Sequence, residues 1–387
     1  MTVLAALGLL AVLIWLGIAL ARGFFWTIGS KLLPEERWGQ ENRVAVVIPA
    51  RNEAGSIAET IQSLLRQDLA GELHVFLVDD DSSDNTAGVA RSAAARLDAA
   101  DRLSVLRSSP LPQGWTGKLW AVSQGIAEAM RWQPDFLLLT DADISHAPDN
   151  VARLLAVAEL HGYDLASLMV RLNCSHIAER LLIPAFVYFF LLLYPPAWIQ
   201  NRRRKAAGAA GGCMLVRPAA LDRAGGVESI RGEIIDDCAM ARGIKSSGGT
   251  VWLGLTPSTR SHRAYQGFAE IERMISRTAF NQLQHSTFLL AGTVLGLICT
   301  YLAPSSLVLA GTLSHRADEM ALGGVAWLLM TVTYLPMVRF YGLNPAWALT
   351  LPLAAVFYLA ATIHSAWKHW SGRGGEWKGR TQDRQPR

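Results

Sequence analysis

The sequence predicts an α/β domain with a parallel sheet, flanked at both ends by apolar segments long enough to enter a bilayer. Three observations lead there. Runs of β-branched residues alternate with helical segments; Arg43–Pro49 (RVAVVIP) lacks polar alternation and suits a central parallel strand. Polar clusters stand where such runs end. Apolar residues gather at the N-terminus, around Leu181–Ile199 and beyond Phe288, and charged residues make up only 18% of the chain.

Taken in order, Val3–Ala21 is almost wholly apolar and long enough to cross a bilayer. No charge precedes it and Arg22 follows it, which reads as an uncleaved anchor over 1–22 with the next domain on the cytoplasmic side. After the first strand, Ala50–Glu53 forms a turn. Ile57, Ile61, Leu64 and Leu65 then mark one face of a helix. A second strand, His74–Val78, runs into Asp79-Asp80-Asp81-Ser82-Ser83-Asp84, where Asp84 or Asn85 is placed to cap the helix Thr86–Leu97. Leu103–Leu106 is a short third strand. The loop Gly114–Lys118 precedes the helix Leu119–Met130, and Phe136–Thr140 is a strand ending in Asp141-Ala142-Asp143.

Pro148 opens a helix running to His161. Leu181–Ile199 is apolar but holds Pro184, Pro195 and Pro196, so it reads as spanning, interfacial or buried. The basic run Arg202–Lys205 after it favours a helix lying on the cytoplasmic surface. Ala206–Gly212 is a small-residue loop before a strand at Cys213–Val216. Asp236 and Asp237 open the helix Cys238–Ser246, Val251–Leu255 is a strand, and Gly267–Gln284 is a helix with Arg273 and Arg277 one turn apart. The domain organisation expected is an anchor (1–22), an α/β domain (43–284) containing the interfacial segment 181–200, membrane helices (286–367) and a basic tail (368–387). Three C-terminal crossings would leave that tail on the outer face, against the positive-inside bias.

Several function classes drop out. No zinc-finger spacing or aromatic-basic RNA motif is present, so nucleic acid is not an expected partner, and the net charge of +4 is modest. The four cysteines are scattered, with neither C-x-x-C nor metal-ligand spacing. Gly114–Lys118 is followed by Leu119 where a P-loop needs Ser or Thr. Neither G-x-G-x-x-G after a strand nor G-x-S-x-G occurs.

The carboxylates carry the chemistry. On an extended strand end Asp141 and Asp143 point the same way, with Ala142 opposite, which suits a hard cation bridging to phosphate oxygens. In an α/β sheet, ligands bind beyond the carboxyl ends of the strands, where Arg51–Glu53, Asp79–Asp81 and Asp141–Asp143 all fall. So much negative charge needs a cation and basic partners, for which Lys118, Arg273 and Arg277 are the candidates. A nucleotide-diphosphate donor with Mg²⁺ or Mn²⁺ follows. The carboxylates after His74–Val78 would accept hydrogen bonds from base or ribose.

Together, Val47–Glu53, Val78–Asp84, Gly117-Lys118, Asp141-Ala142-Asp143 and Asp236-Asp237 resemble the family 2 glycosyltransferases over Arg43 to Gln284. Leu111–Ala121 (LPQGWTGKLWA) and the apolar segments are similar to the hopene-associated subfamily. The resemblance implies a nucleotide-sugar-binding domain of the GT-A type and an inverting transfer. Asp143 would hold the metal with Asp141 in support, and Asp79, Asp80, Asp81 and the turn Pro49, Ala50, Arg51, Asn52, Glu53 would hold the nucleoside. Asp237 would be the general base on the acceptor hydroxyl, beside Asp236. Processive members carry Q-x-x-R-W. Here Met274 and Thr278 flank Arg277 in that pattern, which argues against a polysaccharide synthase.

Plainer readings stand beside these. Asp236 also suits a helix start, Lys118 an exposed helix start, Arg202–Lys205 a lipid-facing run, and His262 a surface loop. The expected function is a multi-pass enzyme of the cytoplasmic membrane that moves a sugar to a lipid or membrane-embedded acceptor, with hopanoid metabolism implied by the subfamily. Diacylglycerol, ceramide-like or polyprenyl-phosphate acceptors are the alternatives. A catalytically silent nucleotide-sugar-binding scaffold is the rival of another class. A transporter is disfavoured because the C-terminal helices lack the interior carboxylates of an ion path.

Overall fold

The structure is a computed structural model that describes residues 2–372, 376–377 and 380–381. The remainder of the expected basic tail lies outside the described residues. The chain divides into two compact units. One is built chiefly from Lys31–Asn173 and Trp198–Arg263, the other from Met1–Ser30, Cys174–Ala197 and Ala264–Glu376.

The first unit holds an eight-stranded sheet. Its strands are β1 (Arg43–Ala50), β2 (Glu72–Asp79), β3 (Leu103–Arg107), β4 (Phe136–Thr140), β5 (Ile144–Ser145), β6 (Leu165–Arg171), β7 (Cys213–Val216) and β8 (Val251–Ser261), in the order β3-β2-β1-β4-β7-β6-β8-β5. β1 is buried from Val44 onwards, as its unalternated apolar run requires. Helices Ile57–Leu65, Thr86–Ala95 and Asn150–His161 bury their apolar faces against the sheet. Helix Gly117–Arg131 comes closest at Gly125, where a Cβ would meet Val47 at 2.5 Å.

The sheet departs from the expected one in its antiparallel pairings, β5 with β8 among them, and in an added strand. β7 is antiparallel to both β4 and β6, so the sheet is mixed, and β6 is a full strand where none was expected. β7 holds four residues and enters from a small-residue loop, a geometry that hydrophobic periodicity does not report.

The second unit is helical, and among the described residues five helical segments are long and apolar enough to cross a membrane: Val3–Ala21, Ile177–Gln200, Thr287–Leu313, Ala317–Phe340 and Pro345–Trp370. The stretch expected at 181–200 therefore clusters, up to Ala197, with these helices rather than with the sheet, and so does the helix Phe268–Gln282. Their apolar faces find partners there: Tyr188 bonds Thr333 at 2.9 Å, and the Phe280 amide donates to Ser365 at 3.0 Å. Pro304 has no N–H for the Thr300 carbonyl one turn back. That carbonyl instead accepts from Trp15 Nε1 at 2.8 Å, beside a π-helical turn at Ile298–Leu302.

Candidate active site

The carboxyl ends of β1 and β2 lie side by side, with Ala50 paired to Asp79, so the turns that follow are woven together. Arg51 donates to the Asp80 carbonyl at 2.5 Å and faces the Asp80 carboxylate at 3.7 Å. Asn52 takes a positive φ of 53°, and its side-chain oxygen accepts from the Ser83 amide at 2.8 Å. Asp79 accepts from the amide and the hydroxyl of Ser82, and the Glu53 amide donates to Thr86 Oγ1 at 2.9 Å. Asp84 accepts from Thr86 and from the Ala54 amide at 3.0 Å. Burial pushes its carboxyl up, but these hydrogen bonds bring it below the ordinary range. Asp80 is buried against Arg51, whereas Asp81 is exposed and is the more accessible acceptor of the three expected.

Beyond β4, Ala142 is buried and its carbonyl accepts from Thr60 Oγ1 at 2.9 Å. Asp143 accepts from Ser261 Oγ at 3.1 Å through its side chain and from the His262 amide at 2.8 Å through its carbonyl. Burial, then the charges of Asp141 and Glu53, push the Asp143 carboxyl up to about 6, against Ser261 and Arg263. His262 pairs with Glu59 at 3.0 Å. The end of β8 thus supports the acidic post, and the length of that strand is what the sequence concealed.

Lys118 sits in the first turn of its helix, behind the Thr116 cap, whose hydroxyl accepts from the Leu119 amide. Its ammonium lies 3.1 Å from both Asp141 and Asp236. Burial alone would favour the neutral amine. Asp141, Asp236 and Asp237 outweigh it and hold the group charged, well above the ordinary lysine range. Asp236 and Asp237 open the helix Asp236–Ser246, where carboxylates complement the helix dipole. Asp237 accepts from the Gly211 amide at 2.8 Å and from the Cys238 amide at 2.7 Å. Burial and neighbouring Asp236 push it up to about 6, while Lys118 and the two amides restrain it. Gly211 was not singled out by sequence reasoning; the Gly-Gly step before β7 was its one visible sign. A side chain there would begin 3.3 Å from the Asp237 carboxylate.

The structure therefore joins Lys118, Asp141, Asp236 and Asp237 in one cluster, with Asp143 beside Asp141. Arg273 and Arg277 lie in the helical unit, both exposed, with Arg273 3.6 Å from Glu270. Among the described residues no three His, Cys, Asp or Glu side chains form a ready-made metal cage. The donor set still fits a hard cation: Asp143 is a carboxylate held under like-charge stress, and phosphate oxygens would complete an open coordination sphere. Asp141 is already paired with Lys118, which leaves Asp143 the better-placed candidate to hold a cation.

Comparison with known proteins agrees with this geometry. Residues 45–225 match the family described as glycosyl transferase family 2. An undecaprenyl-phosphate 4-deoxy-4-formamido-L-arabinose transferase of Proteus mirabilis is 32% identical over 32% of this chain and 36% of its own length. The protein of the same name from Pseudomonas fluorescens is 33% identical over 35% and 38%. The chain thus spans little more than a third of the length of these two relatives. Among solved structures, a mannosyltransferase from Pyrobaculum calidifontis in complex with GDP-Man and Mn²⁺ has a similar fold. Its TM-score is 0.58 at 19% identity, covering 95% of this chain and 99% of that one. Matching motifs, a mixed sheet with acidic strand ends and a shared architecture agree: over residues 45–225 the sheet domain, of GT-A fold, matches the family 2 glycosyltransferases.

Proposed function

We propose that the protein transfers a sugar, with inversion, from a nucleotide-diphosphate donor to the hydroxyl of a lipid held in the membrane. The observation that carries this reading is Asp237: a carboxylate with its proton affinity raised toward neutrality, next to the cluster that would take the diphosphate. A general base works best with a pKa near the operating pH. Asp237 would accept the proton of the acceptor hydroxyl as its oxygen attacks the anomeric carbon. Lys118 would meet the charge that develops on the departing diphosphate. Asp81, Asn52 and the turn around them would hold the nucleoside. A divalent cation on Asp143, supported by Asp141, would neutralise the diphosphate when bound; the fold relative solved with GDP-Man and Mn²⁺ is in keeping with this.

The two arabinose transferases are named for undecaprenyl phosphate, which favours a second acceptor, a polyprenyl phosphate. A phosphate oxygen is nucleophilic without deprotonation, so the two readings separate on Asp237. Purified protein with labelled nucleotide-sugars and both acceptor types tests them. Transfer to a hydroxyl lipid that Asp237→Asn abolishes supports the first reading. Transfer to polyprenyl phosphate that survives the substitution supports the second. Donor binding without transfer to any acceptor would leave only the scaffold. Comparing the lipids of a deletion strain with those of its complemented form would name the acceptor, a hopanoid included.

The membrane arrangement we favour rests on chain continuity and on contacts within the helical unit. β1–β6 and β7–β8 share one sheet although Ile177–Gln200 separates them, so this segment does not cross once and both its ends stay on the sheet's side. Thr2 donates to Glu319 at 2.8 Å, which supports putting the starts of Val3–Ala21 and Ala317–Phe340 together on the opposite face. Helix Phe268–Gln282 follows the sheet domain with no apolar segment between them. It holds the end of Pro345–Trp370 through Glu272–His364 at 2.7 Å and Ser276–Lys368 at 2.8 Å. Three crossings satisfy these constraints: Val3–Ala21, Thr287–Leu313 and Ala317–Phe340. Pro345–Trp370 enters and returns, its first turns bonded back to Trp327 through the Leu349 carbonyl at 3.3 Å. The end of Pro345–Trp370, which carries Lys368, then lies on the cytoplasmic face, in keeping with the positive-inside bias.

A further inference from the structure

Behind the acidic post lies a set of buried polar side chains that the transfer reaction does not use directly. Thr140, His146 and Asn150 are each at most 4% exposed. Three apolar side chains would fill the same volume without needing partners, so a buried polar chain at this point calls for a reason.

Resting on the transferase reading above, we propose that Asn150, His146 and Thr140 form a positioning relay that fixes the base Asp237 relative to the diphosphate carboxylates, with the Thr140 hydroxyl as its last link. The direction of each hydrogen bond follows from the one before it. Asn150 Oδ1 accepts from the Thr259 hydroxyl at 2.9 Å, so its amide nitrogen donates to His146 Nδ1 at 3.2 Å. With Nδ1 accepting in a neutral ring, the proton sits on Nε2 and is donated to Thr140 Oγ1 at 3.0 Å. Burial keeps that ring neutral by lowering its pKa to about 3. The Thr140 hydroxyl is left one proton to give, and it gives it to the Gly212 carbonyl at 2.7 Å.

The last link of this relay touches the site on two sides. Thr140 precedes Asp141 in the chain, and the buried Thr60 hydroxyl donates to the carbonyl of Ala142. Gly212 follows Gly211, whose amide donates to Asp237 at 2.8 Å. One hydroxyl thus ties the strand end that presents Asp141 to the loop that aims an N–H at the base. Displacement of a reacting group by about 1 Å can cost roughly 100-fold in rate.

The test compares Thr140→Val, which keeps shape and loses the hydroxyl, with Thr140→Ser, which keeps the hydroxyl. Both are made in the full chain in lipid nanodiscs. We expect Thr140→Val to lower kcat about 10- to 100-fold while the donor KM changes less than about 3-fold, and Thr140→Ser to restore most of the loss. Hydrogen exchange in the Ala209–Met214 peptide should quicken in Thr140→Val alone, a readout that does not depend on turnover. Should Thr140→Val fail to fold, His146→Leu against His146→Gln gives the same comparison, since glutamine keeps a donor. Equal kcat and equal exchange in the Val and Ser variants, or equal loss in both, would overturn the relay. Quickened exchange in Thr140→Val, in a protein that moves no sugar, would uphold the relay while the transferase reading fell.

Discussion

The ammonium of Lys118 and the carboxylate of Asp236 stand 3.1 Å apart, and the same ammonium reaches Asp141 at 3.1 Å. One cation therefore joins the strand end proposed for the diphosphate and the helix start that carries the proposed base. Lys118→Met leaves these carboxylates without that cation and raises Asp237 further. The expected outcome is a kcat at pH 7 lower by about 100-fold, with the acidic limb of the pH profile moved upward. Steady-state kinetics from acid to alkaline pH check it, and an unshifted limb would count against Lys118 as the restraint on Asp237.

Burial and neighbouring Asp236 push the Asp237 carboxyl up from its ordinary 3.8 to about 6. As a base it works deprotonated, so kcat should level off above about pH 7 and fall about tenfold per unit below about pH 6. The folding consequence has the opposite sign. The folded state binds the proton more tightly than the unfolded chain, so a stability penalty develops as pH rises from about 4 to about 6 and persists above. Asp237→Asn should therefore melt higher than wild type at about pH 8 while losing roughly 10²- to 10⁴-fold in transfer to a hydroxyl acceptor.

Metal dependence should reside at Asp143. Chelation is expected to abolish transfer, and Mn²⁺ or Mg²⁺ to restore it. Asp143→Asn should raise the metal concentration needed for half-maximal rate by at least about tenfold. Metal titration of both proteins reads this directly, and a rate indifferent to chelator would remove the cation from the reaction.

Asn52 holds a φ of 53° and accepts the Ser83 amide. Asn52→Gly keeps the backbone conformation and loses the side-chain bond, whereas Asn52→Ala loses both. We expect donor KM to rise in the order wild type, Gly, Ala, and Asn52→Ala to be less stable than Asn52→Gly by about 1 kcal/mol. Denaturant melts and donor saturation curves measure the two effects.

The three-crossing arrangement puts His315 and Ser371 on opposite faces of the membrane. In a background with the native cysteines replaced by serine, His315→Cys and Ser371→Cys should react with an impermeant thiol reagent from opposite sides of oriented vesicles. Labelling of both from one side would require a different count.

Much of the sheet was legible because local patterns sufficed. Arg43–Pro49, His74–Val78 and Phe136–Thr140 are apolar runs that stop at polar turns, and each is a strand or most of one. Gly162, at a φ of 65°, ends the helix before β6, but Leu165–Arg171 is a short apolar run that periodicity alone does not assign to strand or helix. The antiparallel entry of β7 and the support of Asp143 by Ser261 depend on pairings between distant segments, which local periodicity does not encode. Lys118 and Asp236 likewise meet only in space, each at the start of its own helix, and no spacing rule joins them along the chain.

By itself the sequence determined the class of chemistry: carboxylates at strand ends, a cationic partner and apolar flanks follow from residue type and order. The tertiary structure decided which of these groups act together. It turned Asp80 inward against Arg51, left Asp81 exposed, and brought Gly211 to Asp237. It also bonded the last apolar helix to Phe268–Gln282, a pairing that no local pattern announces. The physical reason is common to all of these. Hydrogen bonds and charge pairs depend on distances of a few ångströms between residues far apart in the chain, and only folding fixes those distances.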